Sequence, residues 1–324
     1  MRVLIVHYYV GRGGGAETAV RNQAKALSAN GVQSEVTNRN PFVFMPNRIK
    51  EFDLIHFHTI HIEMGLAPLV EARKNKVPHC VSLHDYWPFC QGRMLLKNFD
   101  EGCAAVEGRC DGKCRFSPTS ELTRSQLKGT PTIIFNNKSA EIMRRNGVEI
   151  SAIIPHGIDT EFFSCPESKE RDWGKIITVA AWASHPSKGM HILRKALSMS
   201  GLGATLVTGK THEVVRDSLC NSGIFIFPSV YEETFGLSLV EAMSCGCACI
   251  STDVAGPLDI IENNINGVIV KKRDVEALAG AMSMLSQDPL LCWQLGSAAK
   301  KKANEEYSLS KYGARLKEFY ETIV

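Results

Sequence analysis

Met1-Arg2-Val3-Leu4-Ile5-Val6-His7-Tyr8-Tyr9-Val10-Gly11-Arg12-Gly13-Gly14-Gly15-Ala16 opens the chain and decides its fold. Residues 3–9 read as a strand and the glycines as a turn. Residues 16–29 read as a helix with Val20, Ala24 and Leu27 on one face, which Gly31 ends as a C-cap. The same order recurs outward, with strands expected at 34–37, 54–57, 79–83, 133–135 and 152–154 and an apolar helix near 65–74. Strands separated by helices imply parallel pairing through right-handed crossovers, which is a doubly wound α/β domain. After Pro155-His156-Gly157 the pattern restarts. Strands are expected at 175–181, 204–208, 224–228, 248–252 and 267–270, with helices at 190–198, after Gly236, and at 275–285. A last helix over 309–322 carries Tyr312, Leu316, Phe319 and Tyr320 as a stripe suited to docking on a core.

The length, 324 residues, agrees with about two such domains. Hydrophobic residues at 44% and charged residues at 22% exclude a disordered chain, a collagen and a small disulfide-stapled module. Lys plus Arg number 37 against 34 for Asp plus Glu, a net charge of +3, so nucleic acid is not an expected partner. No apolar run approaches the ~18 residues of a membrane-spanning helix. The first residues read as a strand and not as a secretion signal, so a cytoplasmic location is expected. Eleven cysteines cannot all pair within one chain. In a reducing compartment, clustered thiols bind metal or fill a core.

The glycine loop formally satisfies G-x-G-x-x-[GA] between a strand and a helix. Glycines let backbone N–H groups approach a phosphate, and a helix start adds partial positive charge. The alternative is a tight turn with no ligand. A dinucleotide site also wants an acid at the end of the second strand, and Glu35 sits mid-strand instead. The most specific stretch is Phe227-Pro228-Ser229-Val230-Tyr231-Glu232-Glu233-Thr234-Phe235-Gly236-Leu237-Ser238-Leu239-Val240-Glu241-Ala242-Met243. A buried strand ends at Pro228, a loop carries Glu233, and Gly236 opens a helix that bears Glu241. Free N–H groups of Phe235, Gly236 and Leu237 would point out of the sheet's C-terminal edge, where open α/β sheets bind ligands. A carboxylate that accepts from two adjacent hydroxyls is a natural reader of a ribose or a sugar.

Pro-Ser-x3-Glu-x-Phe-Gly-Leu-x3-Glu-Ala-Met resembles the E-x7-E signature of glycosyltransferase family 4, retaining enzymes of the GT-B fold. Gly13-Gly14-Gly15-Ala16-Glu17 resembles the family's N-terminal glycine loop, and Ser82-Leu83-His84-Asp85 its strand-end His-Asp. Ile154-Pro155-His156-Gly157-Ile158-Asp159 resembles its interdomain segment, and Lys188-Gly189 and residues 251–261 also align. The resemblance implies two Rossmann-like domains facing an interdomain cleft. They would be an acceptor-side domain over 1–155 with a Cys-rich insertion at 86–118, and a nucleotide-sugar domain over 156–305. Residues 306–324 would be a helix packing back toward the first domain.

The implied chemistry is transfer of a sugar from a UDP- or GDP-sugar to a glycan, lipid-linked or protein acceptor, as in polysaccharide or glycoconjugate biosynthesis. Retention at the anomeric carbon and no catalytic metal are expected with it. By position, Gly14, Gly15, Lys188 and the Gly236 helix start would neutralise the diphosphate. Glu241 would hold the ribose and Glu233 the donor sugar, with Thr234, Phe235 and Leu237 around them. His84 would face the bond being broken, completing a catalytic set with Lys188 and Glu233. Contact with the inner membrane face would suit a lipid-linked acceptor, and Lys271-Lys272-Arg273 and Lys300-Lys301-Lys302 are basic runs, usually solvated faces.

The sequence departs from the family in two places. Where an Arg is usual before the Lys, Val179-Ala180-Ala181-Trp182-Ala183-Ser184 has none, leaving Lys188 alone or helped by Arg12, Lys210 or His185. Between Gly209 and Phe225 there is room for little beyond one helix. In the insertion, Cys90, Cys103, Cys110 and Cys114 follow C-x12-C-x6-C-x3-C. Such a loop has little core, so a structural zinc, disulfides or free thiols are the readings. Cys245, Cys247 and Cys249 read as small core residues. Two other functions are weighed: a zinc-stabilised, non-catalytic interaction protein, and an NAD-dependent oxidoreductase.

Overall fold

Val3, Leu4, Ile5 and Val6 are fully buried, as a parallel strand covered by helices on both faces requires. In the computed structural model, residues 1–8, 14–62, 64–97, 101–110, 125–165 and 171–324 are described. They divide into two units, Met1–Gly157 with Leu309–Val324, and Ile158–Ser308.

In the first unit, a sheet runs in the order Gln33–Thr37, Arg2–His7, Leu54–His58, His79–Ser82, Thr132–Ile134, Ala152–Ile153. Every pairing is parallel. The first strand ends at His7, and Tyr9 through Gly13 lie outside the described residues. Helix Gly15–Ala29 buries Ala19, Val20, Gln23, Ala26 and Leu27. Helix Leu309–Glu321 lies against it, close enough that a Cβ at Gly313 would stand 2.1 Å from the Ala26 carbonyl oxygen. Tyr312, Leu316 and Tyr320 are buried there, whereas Phe319 is only half-buried. Gln23 Nε2 donates to the Tyr320 hydroxyl at 2.9 Å, and that hydroxyl lies 2.6 Å from His56 Nδ1.

The second unit carries the order Ala204–Val207, Asp172–Val179, Ser222–Phe227, Ala248–Thr252, Val268–Val270, again all parallel. Ser222–Phe227 is buried along its whole length. Between it and the edge strand Ala204–Val207 lies the single helix His212–Cys220, and Leu206 on that edge is exposed. The longest helices beyond the sequence-based expectation are Asn137–Arg145 and Pro289–Glu306. Both carry start signals: Asn136 Oδ1 accepts from Ser139 N at 2.7 Å, and Asp288 Oδ1 from Leu291 N at 2.9 Å ahead of Pro289. Among the described residues no helix is long and apolar enough to cross a membrane.

Candidate functional site

The strand Ser222–Phe227 delivers the chain at Pro228 into the loop that holds the acids, and Gly236 begins helix Leu237–Ser244 with no side-chain cap. Its first N–H groups have no acceptor within the helix, which makes the helix start a donor of partial positive charge. The loop is tied to a second turn, Pro186–Lys188. Ser187 O accepts from Val230 N at 2.8 Å and from Ser229 Oγ at 3.2 Å. Gly189, at φ +69°, makes this approach possible, because a Cβ there would stand 1.8 Å from the Pro228 carbonyl oxygen.

That contact delivers Lys188 to Glu233. The ammonium donates to Glu233 Oε1 at 2.7 Å, Ser229 Oγ donates to the same oxygen at 3.1 Å, and the Tyr231 hydroxyl donates to Oε2. Lys188 Nζ also sits 4.9 Å above the Tyr231 ring. Two residues that the resemblance assigns to different parts of a donor therefore meet in one ion pair. Neighbouring Glu232 anchors the loop from behind, accepting from Lys272 Nζ at 2.5 Å and Ala255 N at 2.9 Å. Gly256 N donates to Glu233 O at 2.8 Å. Thr234 and Phe235 are buried, with the Phe235 ring 5.7 Å from Tyr307. Leu237 is half-buried at the helix start.

Glu241 differs from Glu233. It is 5% exposed, its carboxylate accepts no hydrogen bond among the described residues, and burial pushes its carboxyl up to about 7. A buried acid without a partner is costly, and one that receives hydroxyl donors from a ligand ceases to be so. Of the stand-ins for the missing Arg, Arg12 lies outside the described residues and Lys210 is exposed. His185 is lowered by burial and by the Lys188 ammonium, which keeps its imidazole neutral.

In the first unit, Gly14 precedes helix Gly15–Ala29, with open space where the side chains of Gly14 and Gly15 would be. His84 follows strand His79–Ser82, and its Nε2 lies 2.8 Å from His58 Nδ1. Its ring stands 5.0 Å from Phe135 and 5.3 Å from His156. Burial, with His156 next, holds His84 well below the usual imidazole range. The sequence singled out only His84, yet His7, His58 and His156 also close the C-terminal ends of their strands, and all three are buried. Their signal was a histidine at or just past each strand end. Burial lowers His7 to about 4 and His156 to about 3. Asp85 beside them is raised to about 6 by burial, against the opposing Arg93. Glu35, the acid a dinucleotide would need, is taken by Arg48 at 2.7 Å on the surface.

The insertion is better filled than its composition suggests. Tyr86, Trp87, Phe89, Leu95 and Ala105 join the core of the first unit, so its start needs no staple. Cys110 N donates to Asn146 Oδ1 at 2.8 Å and Arg145 Nη1 to Val106 O at 3.0 Å, tying the segment to the helix beside it. Cys90 and Cys110 are free thiols, Cys103 is partly buried, and Cys114 lies outside the described residues. Among the described residues these three do not gather around one point. The sulfurs that do converge belong to Cys165, Cys220 and Cys245 in the second unit, where Cys165 and Cys220 form a disulfide that the sequence reading did not single out.

Residues 194–302 match the family model for glycosyl transferases group 1. The chain is 33% identical over 114 residues to a sucrose synthase of Acidithiobacillus caldus, a match over 34% of this chain and 14% of that protein. Among solved structures, a sucrose-phosphate synthase from Thermosynechococcus elongatus superposes with a TM-score of 0.74 at 16% identity, covering 99% of this chain and 98% of that one. Anabaena HepE, solved in complex with UDP and glucose, gives 0.73 at 16%, covering 99% and 100%. The chain thus has the GT-B fold, and its residues 194–302 are similar to the glycosyl transferases group 1.

Proposed function

We propose that this protein transfers a sugar from a nucleotide-sugar donor to a glycan, lipid-linked or protein acceptor, with retention at the anomeric carbon, in polysaccharide or glycoconjugate assembly. The observation that carries the reading is the Lys188–Glu233 pair set beside the uncapped start of the helix that buries Glu241, whose carboxylate has no hydrogen-bond partner among the described residues. The second unit then binds the donor and the first supplies the acceptor side. A donor diphosphate accepts from Lys188 and from the N–H groups at the helix start. Glu233, still held by Ser229 and Tyr231, accepts from a sugar hydroxyl. Glu241 accepts from the ribose diol, which relieves its burial.

As the bond from the anomeric carbon to phosphate breaks, charge grows on the departing diphosphate. Fixed donors aimed at such charge are worth most where water is excluded. The acceptor hydroxyl attacks on the face the phosphate leaves, and its proton passes to a diphosphate oxygen. No protein nucleophile is required. His84 stays a neutral hydrogen-bonding group at the acceptor side, held by His58. That HepE is described with UDP and glucose favours UDP over GDP as the carrier.

Lys272 is held by Glu232 and Lys302 by Glu262 at 2.8 Å, so each basic run is partly tied into the fold before any membrane surface is met. A structural zinc on Cys90, Cys103, Cys110 and Cys114 would need its fourth thiol from outside the described residues and a closer approach of the other three. The test of the reading is binding of UDP-, GDP- and ADP-sugars by thermal shift, followed by NMR of the product anomer. Binding of none of the three, or an inverted product, would overturn it.

A further inference from the structure

At the C-terminal end of the helix that bears Glu241, the second unit gathers sulfur from three points of the chain. Cys165 and Cys220 are bonded across a sequence separation of 55, and Cys245 Sγ lies within 4.8 Å of both their sulfurs. Cys220 ends helix His212–Cys220, and Cys245 directly follows helix Leu237–Ser244. Cys220 and Cys245 are buried, whereas Cys165 is partly exposed. Arg171 reaches in beside them. Its Nη2 lies 3.4 Å from Cys165 Sγ and donates to Cys245 O, and its Nη1 donates to Gly246 O at 2.7 Å. A guanidinium against one sulfur of a disulfide favours that sulfur as the departing thiolate.

We propose that Cys165, Cys220 and Cys245 form a three-sulfur exchange centre, in which the disulfide moves between Cys165–Cys220 and Cys220–Cys245. Cys245 Sγ gives up its proton and attacks Cys220 Sγ, forming the new S–S bond. The Cys165–Cys220 bond breaks, and its electron pair goes to Cys165 Sγ beside Arg171. Cys165 then takes up the proton that Cys245 released. One S–S bond and one S–H bond stand on each side of the step, so no oxidant or reductant is consumed. Nearby Cys247 and Cys249 are turned to backbone carbonyls, Cys247 Sγ to Leu219 O at 3.4 Å and Cys249 Sγ to Cys247 O at 3.4 Å. They are the internal control. The centre is independent of the donor reading, although Cys245 closes the helix that bears Glu241.

A disulfide map of the full chain tests it, by acid quench, alkylation, digestion without reductant and mass spectrometry. Cys165→Ser, oxidised with diamide, is expected to yield the Cys220–Cys245 linked peptide as its main product, with Cys247 and Cys249 alkylated. Cys245→Ser is expected to keep Cys165–Cys220 and to show no second pair. If Cys165→Ser leaves Cys220 and Cys245 both alkylated, or pairs Cys220 with Cys247, the proposal is overturned. Should Cys165→Ser fail to fold by circular dichroism, wild type incubated with a catalytic trace of small thiol decides the matter. Appearance of the Cys220–Cys245 peptide supports exchange, and its absence at equilibrium overturns it.

Discussion

The two units end their parallel strands in opposite chemistry. At the C-terminal strand ends of the first stand histidines that burial keeps neutral, with His7 lowered to about 4 and His156 to about 3. At the same edge of the second stand formal charges, Lys188 against Glu233 and Lys272 against Glu232, together with a buried acid, Glu241, that has no partner among the described residues. One architecture thus presents neutral hydrogen-bonding rings at one edge and paired formal charges beside a buried acid at the other. The fold leaves this choice open, and the side chains at the strand ends make it.

The hardest blow to the charged edge is Lys188→Ala. Glu233 keeps Ser229 and Tyr231 as donors, so the protein should fold. Turnover should fall about 100- to 1,000-fold in kcat/KM, as for loss of one donor to a developing anion, and steady-state kinetics with the donor found by binding checks this. Next comes Glu241→Ala, expected to weaken donor affinity roughly 10- to 100-fold through loss of charge-assisted hydrogen bonds. Calorimetry showing wild-type affinity would refute the ribose role.

The contrast also predicts opposite pH responses. The histidines have folded values below their unfolded ones, so the unfolded first unit binds more protons and its stability falls as pH drops from about 7 toward 4. Hydrogen exchange should therefore show the first unit opening before the second at pH 5. Glu241 has a folded value above its unfolded one, so its contribution worsens as pH rises from about 4.5 to 7. Glu241→Gln should accordingly raise Tm by a few degrees at pH 8 and leave it nearly unchanged at pH 4.5. An equal shift at both would show that the acid is already compensated. The smallest effect concerns metal. Because Cys90, Cys103 and Cys110 do not gather around one point among the described residues, purified protein should hold well under one equivalent of zinc by elemental analysis, and a full equivalent would restore the staple.

Much of this was legible in the residues. The alternation of strand and helix placed both sheets, and the stretch from Phe227 to Met243 placed the acid loop and its helix. The helices after Asn136 and Asp288 were missed although their caps were in view: the first is only nine residues long, and the second lacks a marked apolar stripe. The Lys188–Glu233 pair could not be read, since it depends on Gly189 letting one turn lie against another. Nor could the histidine edge, which draws single residues from strands far apart in the chain.

The order of apolar runs, glycines and caps by itself determined two parallel sheets and the position of Glu233 and Glu241 on their loop and helix, because periodicity and turn chemistry are local. Only the tertiary structure decided which charges meet, which acid is left without a partner, and which cysteines bond. Those outcomes depend on through-space distance and on exclusion of water, and neither is written in the spacing of residues along a chain.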